Sequence, residues 1–181
     1  MLKLTRAATV AAERLDAVGG RIQDLSEPYR TFLAVWSAQG LIDNGSLTHF
    51  FECDFPGTPS YSLFVDAYRR IGADHAACCL ERAVASFPFD HPELQIDKRN
   101  EFIRANFNDK TFTVSLWDHS FAGNGLVFEK LKHFVESNMD AFPESIHTLT
   151  RRRFFSKNSP TLKNTTPIVT VDPLDREDLY I

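Results

Sequence analysis

LIDNGSLTHFF, Leu41 to Phe51, is the stretch whose reading decides the fold. Asn44-Gly45 is a strong hairpin-turn signal when alternating strands flank it. The residues that follow do not alternate: Leu47, Phe50 and Phe51 recur at i, i+3 and i+4, the spacing of one helical face. Upstream, Tyr29, Phe32, Leu33 and Trp36 keep the same period behind a start signal of Ser26 as cap, Glu27 in the first turn and Pro28 at an early helical position. The spacing therefore predicts a helix-to-helix joint at Asn44-Gly45, with Leu47, Phe50 and Phe51 entering the core.

Outward from this joint the helical period continues. An Ala-rich amphipathic opening segment ends at Gly19-Gly20, a helix stop. FPGTPS, residues 55–60, reads as a loop. Tyr61, Phe64, Val65, Tyr68 and Ile71 then share one face of a helix that Gly72 ends. Asp74 reads as the cap of the next helix, whose stripe is Ala76, Cys79, Leu80, Ala83, Val84 and Phe87 and whose stop is Pro88. Residues 89–107 read as a loop leading into a polar helix. In DKTFTVSLWDHSF, residues 109–121, Thr111 to Val114 favour strand, but Leu116, Trp117 and Phe121 suit a helix face, and helix is the reading adopted. Val127, Leu131, Phe134, Val135 and Met139 mark a closing helix that Pro143 ends. The expected fold is all-α: an N-terminal amphipathic helix over 1–23, one multi-helix domain over 24–143, and an irregular, partly extended tail over 144–181.

Composition agrees with a packed core. The chain has 181 residues, and its sixteen Phe offer enough apolar surface that no disulfide or metal staple is required. Its three cysteines include the adjacent pair Cys78-Cys79 and no two-residue spacing, so neither a disulfide framework nor a zinc ribbon is indicated. Arg6, Glu13, Arg14 and Asp16 interrupt the opening residues, and no later run approaches the roughly 18 apolar residues of a membrane span. A cytoplasmic protein without a membrane segment is expected.

The net charge of −4 is unevenly spread. Between Asp24 and Pro143 there are seventeen acidic against ten basic side chains, whereas the tail carries Arg151-Arg152-Arg153 in a row. No Lys or Arg lies between Arg30 and Arg69, while Asp43, Glu52, Asp54 and Asp66 do. Those four carboxylates are the expected acidic, protein-binding face. The Arg run is followed by Phe154-Phe155, a pairing that can attract and stack nucleic acid, but it reads first as a solvated helix end or a contact with the chain's own acidic body. Direct nucleic-acid binding is not expected.

One pair has the spacing of a nucleophile and its base: His49 and Cys53, at i and i+4 on a helical face. Asp54, the nearest candidate to orient the imidazole, would point elsewhere on a helix. His49 is accordingly read as a surface residue and Cys53 as a small packed hydrophobe. The other histidines lack metal-ligand spacing, Cys79 falls on an apolar stripe with Cys78 beside it, which favours burial of the pair over redox chemistry, and Gly123-Asn124-Gly125 reads as a linker and helix start, not a phosphate loop. No catalytic residue, metal or cofactor is expected.

The joint also carries a family resemblance. Asn44-Gly45-Ser46-Leu47-Thr48-His49-Phe50-Phe51 resembles the Asn-Gly-Gly-Phe-x-x-Phe-Phe core of the DNA-mimic-protein-like domain family, a helical family otherwise of unknown function. YSLFVDAYRRIGADHAACCLERAVASFP resembles that family's helix, Ile-Gly-Ala junction and following helix. LWDHSF resembles its Leu-Asp-x-x-Phe element, and LVFEKLKHFVESNMDAF its closing helix. The likeness covers about residues 26 to 143, with Asn44, Gly45, Phe50, Phe51 and Gly72 as structural motif residues. The chain departs from it at Ser46, where a second glycine is common, and at Leu47, where an aromatic is. A positive φ at Ser46 would cost on the order of 1 kcal/mol.

The resemblance implies a homodimer that imitates duplex DNA and occupies the DNA-binding surface of a partner protein. Such a face needs carboxylates spaced like phosphates, roughly one charge per 1.7 Å of duplex axis. Four carboxylates over the 38 positions between Arg30 and Arg69 fall short alone, and Glu81, Asp90, Glu93 and Asp97 can add to them. The expectation is a non-enzymatic protein-binding domain. The alternatives are a small intracellular enzyme built on His49 and Cys53, and a toxin-neutralising protein of the immunity type.

Overall fold

The computed structural model describes residues 2–107, 120–123 and 125–142. They belong to one compact unit spanning Met1–Ser145. Of the helix expected over 109–121, residues 109–119 lie outside the described residues, and Ser120 and Phe121 form a turn instead; the tail over 144–181 and its Arg151–Arg153 run also lie outside the described residues. The elements are α1 (Leu2–Ala17), α2 (Tyr29–Glu52), α3 (Tyr61–Arg70), α4 (Asp74–Ala85), α5 (Ile96–Phe107) and α6 (Leu126–Glu136), with short 3-10 turns at Ile22–Asp24 and Pro92–Leu94. No strand occurs among the described residues, and the fold is all-α.

α2 is the axis of the domain: α1, α3, α5 and α6 all pack on it, and α4 packs on α3. Helical hydrogen bonding runs through LIDNGSLTHFF, but Gly45 (φ −154°, ψ 20°) and Ser46 (φ 68°, ψ −176°) leave helical geometry and break the axis at the expected joint. Asn44 Nδ2 donates to Gly40 O at 2.9 Å and covers one carbonyl of the first piece. Ser46 Oγ accepts from Thr48 N at 3.3 Å and caps the second. Gly45 has a steric reason: a Cβ there would lie 2.6 Å from His49 Cβ.

The break turns the second piece so that Leu47, Phe50 and Phe51 are fully buried. Phe50 lies 5.3 Å from Phe64 and 5.6 Å from both Phe55 and Tyr61, centroid to centroid. Phe51 meets Tyr61 at 5.0 Å and Phe87 at 5.2 Å. Each such Phe contributes about 1.5–3 kcal/mol by leaving water. This cluster joins α2 to α3 and the end of α4.

α1 docks through Leu4, Ala7, Val10 and Ala11, a single helical stripe. α3 ends in a Schellman motif: Gly72, at φ 76°, donates to Arg69 O at 2.8 Å and Ala73 N donates to Tyr68 O at 2.8 Å. Lys130 Nζ of α6 donates to Gly72 O at 2.6 Å.

Four local details differ from the sequence reading. Pro28 precedes α2, whose first turn is held by Glu27: its Oε2 accepts from Thr31 N at 3.2 Å and from Thr31 Oγ1 at 2.6 Å. Ala73 occupies the cap position of α4, so Asp74 lies inside the first turn, where its charge still favours the positive end of the helix dipole. Cys78 is exposed while Cys79 is buried, because the α4 stripe is too narrow for both. Met139 is exposed, since α6 ends at Glu136 and a turn follows.

Candidate protein-binding face

The acidic surface gathers around the two ends of α3, which itself contributes Asp66. Tyr61, Phe64, Val65, Ala67 and Tyr68 face the core and leave Ser62, Asp66, Arg69 and Arg70 outside. An arginine surrounded by carboxylates stands at each end of this helix.

At the start of α3 the arginine is Arg99 of α5, only 2% exposed. Its Nη1 donates to Tyr61 Oη at 3.2 Å and its Nη2 donates to Asp54 Oδ1. Glu52 and Glu93 stand close enough to be felt here. Burial first, then the Asp54 and Glu52 carboxylates, push the Cys53 thiol up, with Arg99 opposing. Burial likewise pushes the Tyr61 phenol up to about 12, against Arg99, with Glu93 and Asp54 adding to the rise. Three carboxylates and one guanidinium leave this cluster at −2.

At the end of α3, Arg69 Nη2 donates to Glu81 Oε2 at 2.6 Å, and Arg69 Nη1 is 3.7 Å from Asp66 Oδ1. The Glu81 hydrogen bond chiefly raises the Arg69 pKa, and Asp66 and Asp74 add to it. This second group also sets three carboxylates around one guanidinium, with Arg70 and Lys130 as neighbouring cations. Tyr61 and Arg69 are eight residues apart, so the two clusters lie about 12 Å apart along the helix at 1.5 Å per residue.

The four carboxylates predicted from sequence have different surroundings. Glu52 is exposed and has no ion pair among the described residues. Asp66 is exposed and loosely paired. Asp54 is exposed but neutralises buried Arg99. Asp43 faces inward, where its Oδ1 accepts from Gln39 Nε2 at 2.6 Å and from Gly123 N at 2.7 Å, tying α2 to the turn at residues 120–123. Gln39 is buried and also accepts from Tyr68 Oη at 3.0 Å. Asp74, Glu81 and Glu93 join the face from α4 and the turn before α5.

His49 is exposed, Cys53 is half-buried, and no hydrogen bond joins their side chains among the described residues. A contact with the same i, i+4 spacing forms instead on α4. Cys79 Sγ lies 3.7 Å from His75 Nε2 and 3.9 Å from Arg82 Nη2, and His75 Nε2 is 2.7 Å from Ser120 Oγ. Cys79 is 1% exposed. Sequence spacing alone does not separate the two pairs. Among the described residues, no three His, Cys, Asp or Glu side chains come together as a metal site, and no helix is long and apolar enough to cross a membrane.

These features define an all-helical domain built on a broken central helix, with a carboxylate cluster at each end of one of its flanking helices. The sequence of residues 23–138, more than half of the chain, matches the family model described as DMP19-like protein, and the chain belongs to that family. A search of curated proteins and a search of solved structures returned no match. α1 precedes the matched segment, although it packs on α2 and α6.

Proposed function

We propose that this chain is a non-enzymatic, cytoplasmic protein-binding domain that acts as a homodimer and occupies the basic, DNA-binding surface of a partner protein. The observation that carries the reading is the pair of clusters at the ends of α3, each with three carboxylates around one arginine. Six carboxylates stand against the two arginines, with Arg70 and Lys130 adding cations at the end of α3, so the face carries a sparser negative charge than the duplex, which has roughly one per 1.7 Å. A basic groove on the partner supplies the complement, and the affinity is expected to fall with rising salt. Family membership favours the same kind of partner. The upward push on the Cys53 thiol favours a binding role over nucleophilic catalysis at His49 and Cys53. Three cysteines with no disulfide between them suit a reducing compartment.

The test is capture of DNA-binding proteins from native cells, with and without duplex DNA as competitor. Glu52→Lys, Asp66→Lys and Asp74→Lys are combined, leaving Asp43 and Asp54 to their internal partners. The triple variant is expected to keep the helical circular-dichroism spectrum and lose the captured protein, and duplex DNA is expected to displace that protein from the wild type. Capture that survives both the charge reversal and the DNA competitor rules the proposal out.

A further inference from the structure

The guanidinium of Arg99 uses both terminal nitrogens on Asp54 and Tyr61, yet its Nε is buried and meets no acceptor among the described residues. A buried cationic donor without an acceptor is among the most costly polar defects a core can hold. Arg99 also lines a small, partly open cavity of about 10 Å³, whose lining includes Cys53, Asp54, Thr58, Tyr61 and Glu93. A water needs roughly 10–15 Å³ by this measure and two to four polar partners. The cavity has the volume of one water and nothing larger, and its wall has the partners.

We infer that a single water molecule is bound in this cavity, accepting a hydrogen bond from Arg99 Nε and donating to the Glu93 carboxylate. Glu93 is nine-tenths buried, and among the described residues its carboxylate meets one side chain, His91 Nδ1 at 3.4 Å, so acceptor capacity remains on it. The water completes the donor set of the guanidinium. Asp54 then neutralises Arg99 directly and Glu93 does so through the water, which fixes the 53–60 loop against the start of α5. The inference rests on Arg99 and the cavity alone and stands or falls apart from the protein-binding reading.

A high-resolution crystal structure of the full chain tests it, with Cys53→Met to fill the cavity and Cys53→Ser to keep its volume. Wild type and Cys53→Ser are expected to show one density peak within hydrogen-bond distance of both Arg99 Nε and Glu93. Cys53→Met is expected to lose the peak and to melt at a lower temperature. A wild-type cavity without density, or Arg99 Nε bonded directly to a protein oxygen, overturns the site. Loss of the peak in Cys53→Met with no fall in melting temperature overturns the role given to the water. If Cys53→Met does not fold, the wild-type density decides alone.

Discussion

The hydroxyl oxygen of Ser46 accepts a hydrogen bond from the backbone N–H of Thr48 at 3.3 Å, so the residue with the left-handed φ inside α2 is also the cap of the piece that follows. One residue thus carries two opposed contributions. Its backbone, at φ 68° and ψ −176°, lies in a region suited almost only to glycine and costs of order 1–3 kcal/mol. Its side chain returns part of that as a cap.

Ser46→Gly removes the strain and loses little of the cap, since glycine at a cap position costs only a few tenths of a kcal/mol. The variant is expected to be more stable than the wild type by about 1 kcal/mol. Ser46→Ala keeps the strain and loses the cap, and is expected to be less stable by about 1 kcal/mol. Urea unfolding with an unchanged slope measures both. A glycine variant no more stable than the serine chain would show that the backbone there is unstrained.

Asp43 was the member of the predicted acidic face with the most to do inside the fold. Replacing it with Ala leaves the Gly123 N–H without its acceptor and weakens the hold on buried Gln39, at a cost of about 1–3 kcal/mol. Glu52→Ala, with no partner to lose, is expected to stay within about 0.5 kcal/mol of the wild type. Thermal melts of the two variants separate an internal carboxylate from a surface one. Equal melting temperatures would return Asp43 to the surface.

Those two residues also mark what a sequence can and cannot reveal. The α3 and α4 stripes, the joint at Asn44-Gly45 and the helix stop at Gly72 are local, because a period of 3.6 or a glycine beyond a helix end is visible within a few positions. Asp43 meets Gly123 across 80 residues, and Arg99 reaches Asp54 across 45 and Tyr61 across 38. Nothing near Arg99 distinguishes it from Lys98 or Arg104, which are exposed on the same polar helix. The acidic face was legible as a gap in cations. Its grouping around Arg69 and Arg99 was not, because α4, α5 and the turn before α5 supply half of the carboxylates and cations.

Glu27 makes the fold sensitive to acid. Burial opposes its ionisation, but the Thr31 and Arg30 hydrogen bonds and the Arg70 charge outweigh burial and hold its carboxyl below the ordinary 4.5. A carboxyl depressed in the folded state contributes stability in full above its unfolded pKa and loses it as pH falls through the folded value. Wild type is therefore expected to exceed Glu27→Gln in stability at neutral pH, with the gap closing as pH falls below about 4.5. Urea midpoints for both chains from neutral to acid pH give the comparison. A gap that stays constant across that range would mean that the carboxylate charge contributes nothing.

Asp54→Ala removes the ionic partner of a guanidinium that is 2% exposed. Hydrogen bonds to buried charged groups contribute about 1.5–3 kcal/mol, and stranding the cation costs toward the upper part of that range. Asp54 is itself 54% exposed, so water replaces some of what it supplies and keeps the loss to about 2 kcal/mol. Combining Asp54→Ala with Arg99→Met removes the stranded charge along with its partner. The double variant is therefore expected to be more stable than Asp54→Ala alone, the sign a buried ion pair gives and a surface pair does not. Denaturant unfolding of the two single variants and the double closes the cycle. If the two single effects sum to that of the double, Arg99 and Asp54 are not coupled, and the cluster at the start of α3 is a set of neighbouring charges without an organising cation.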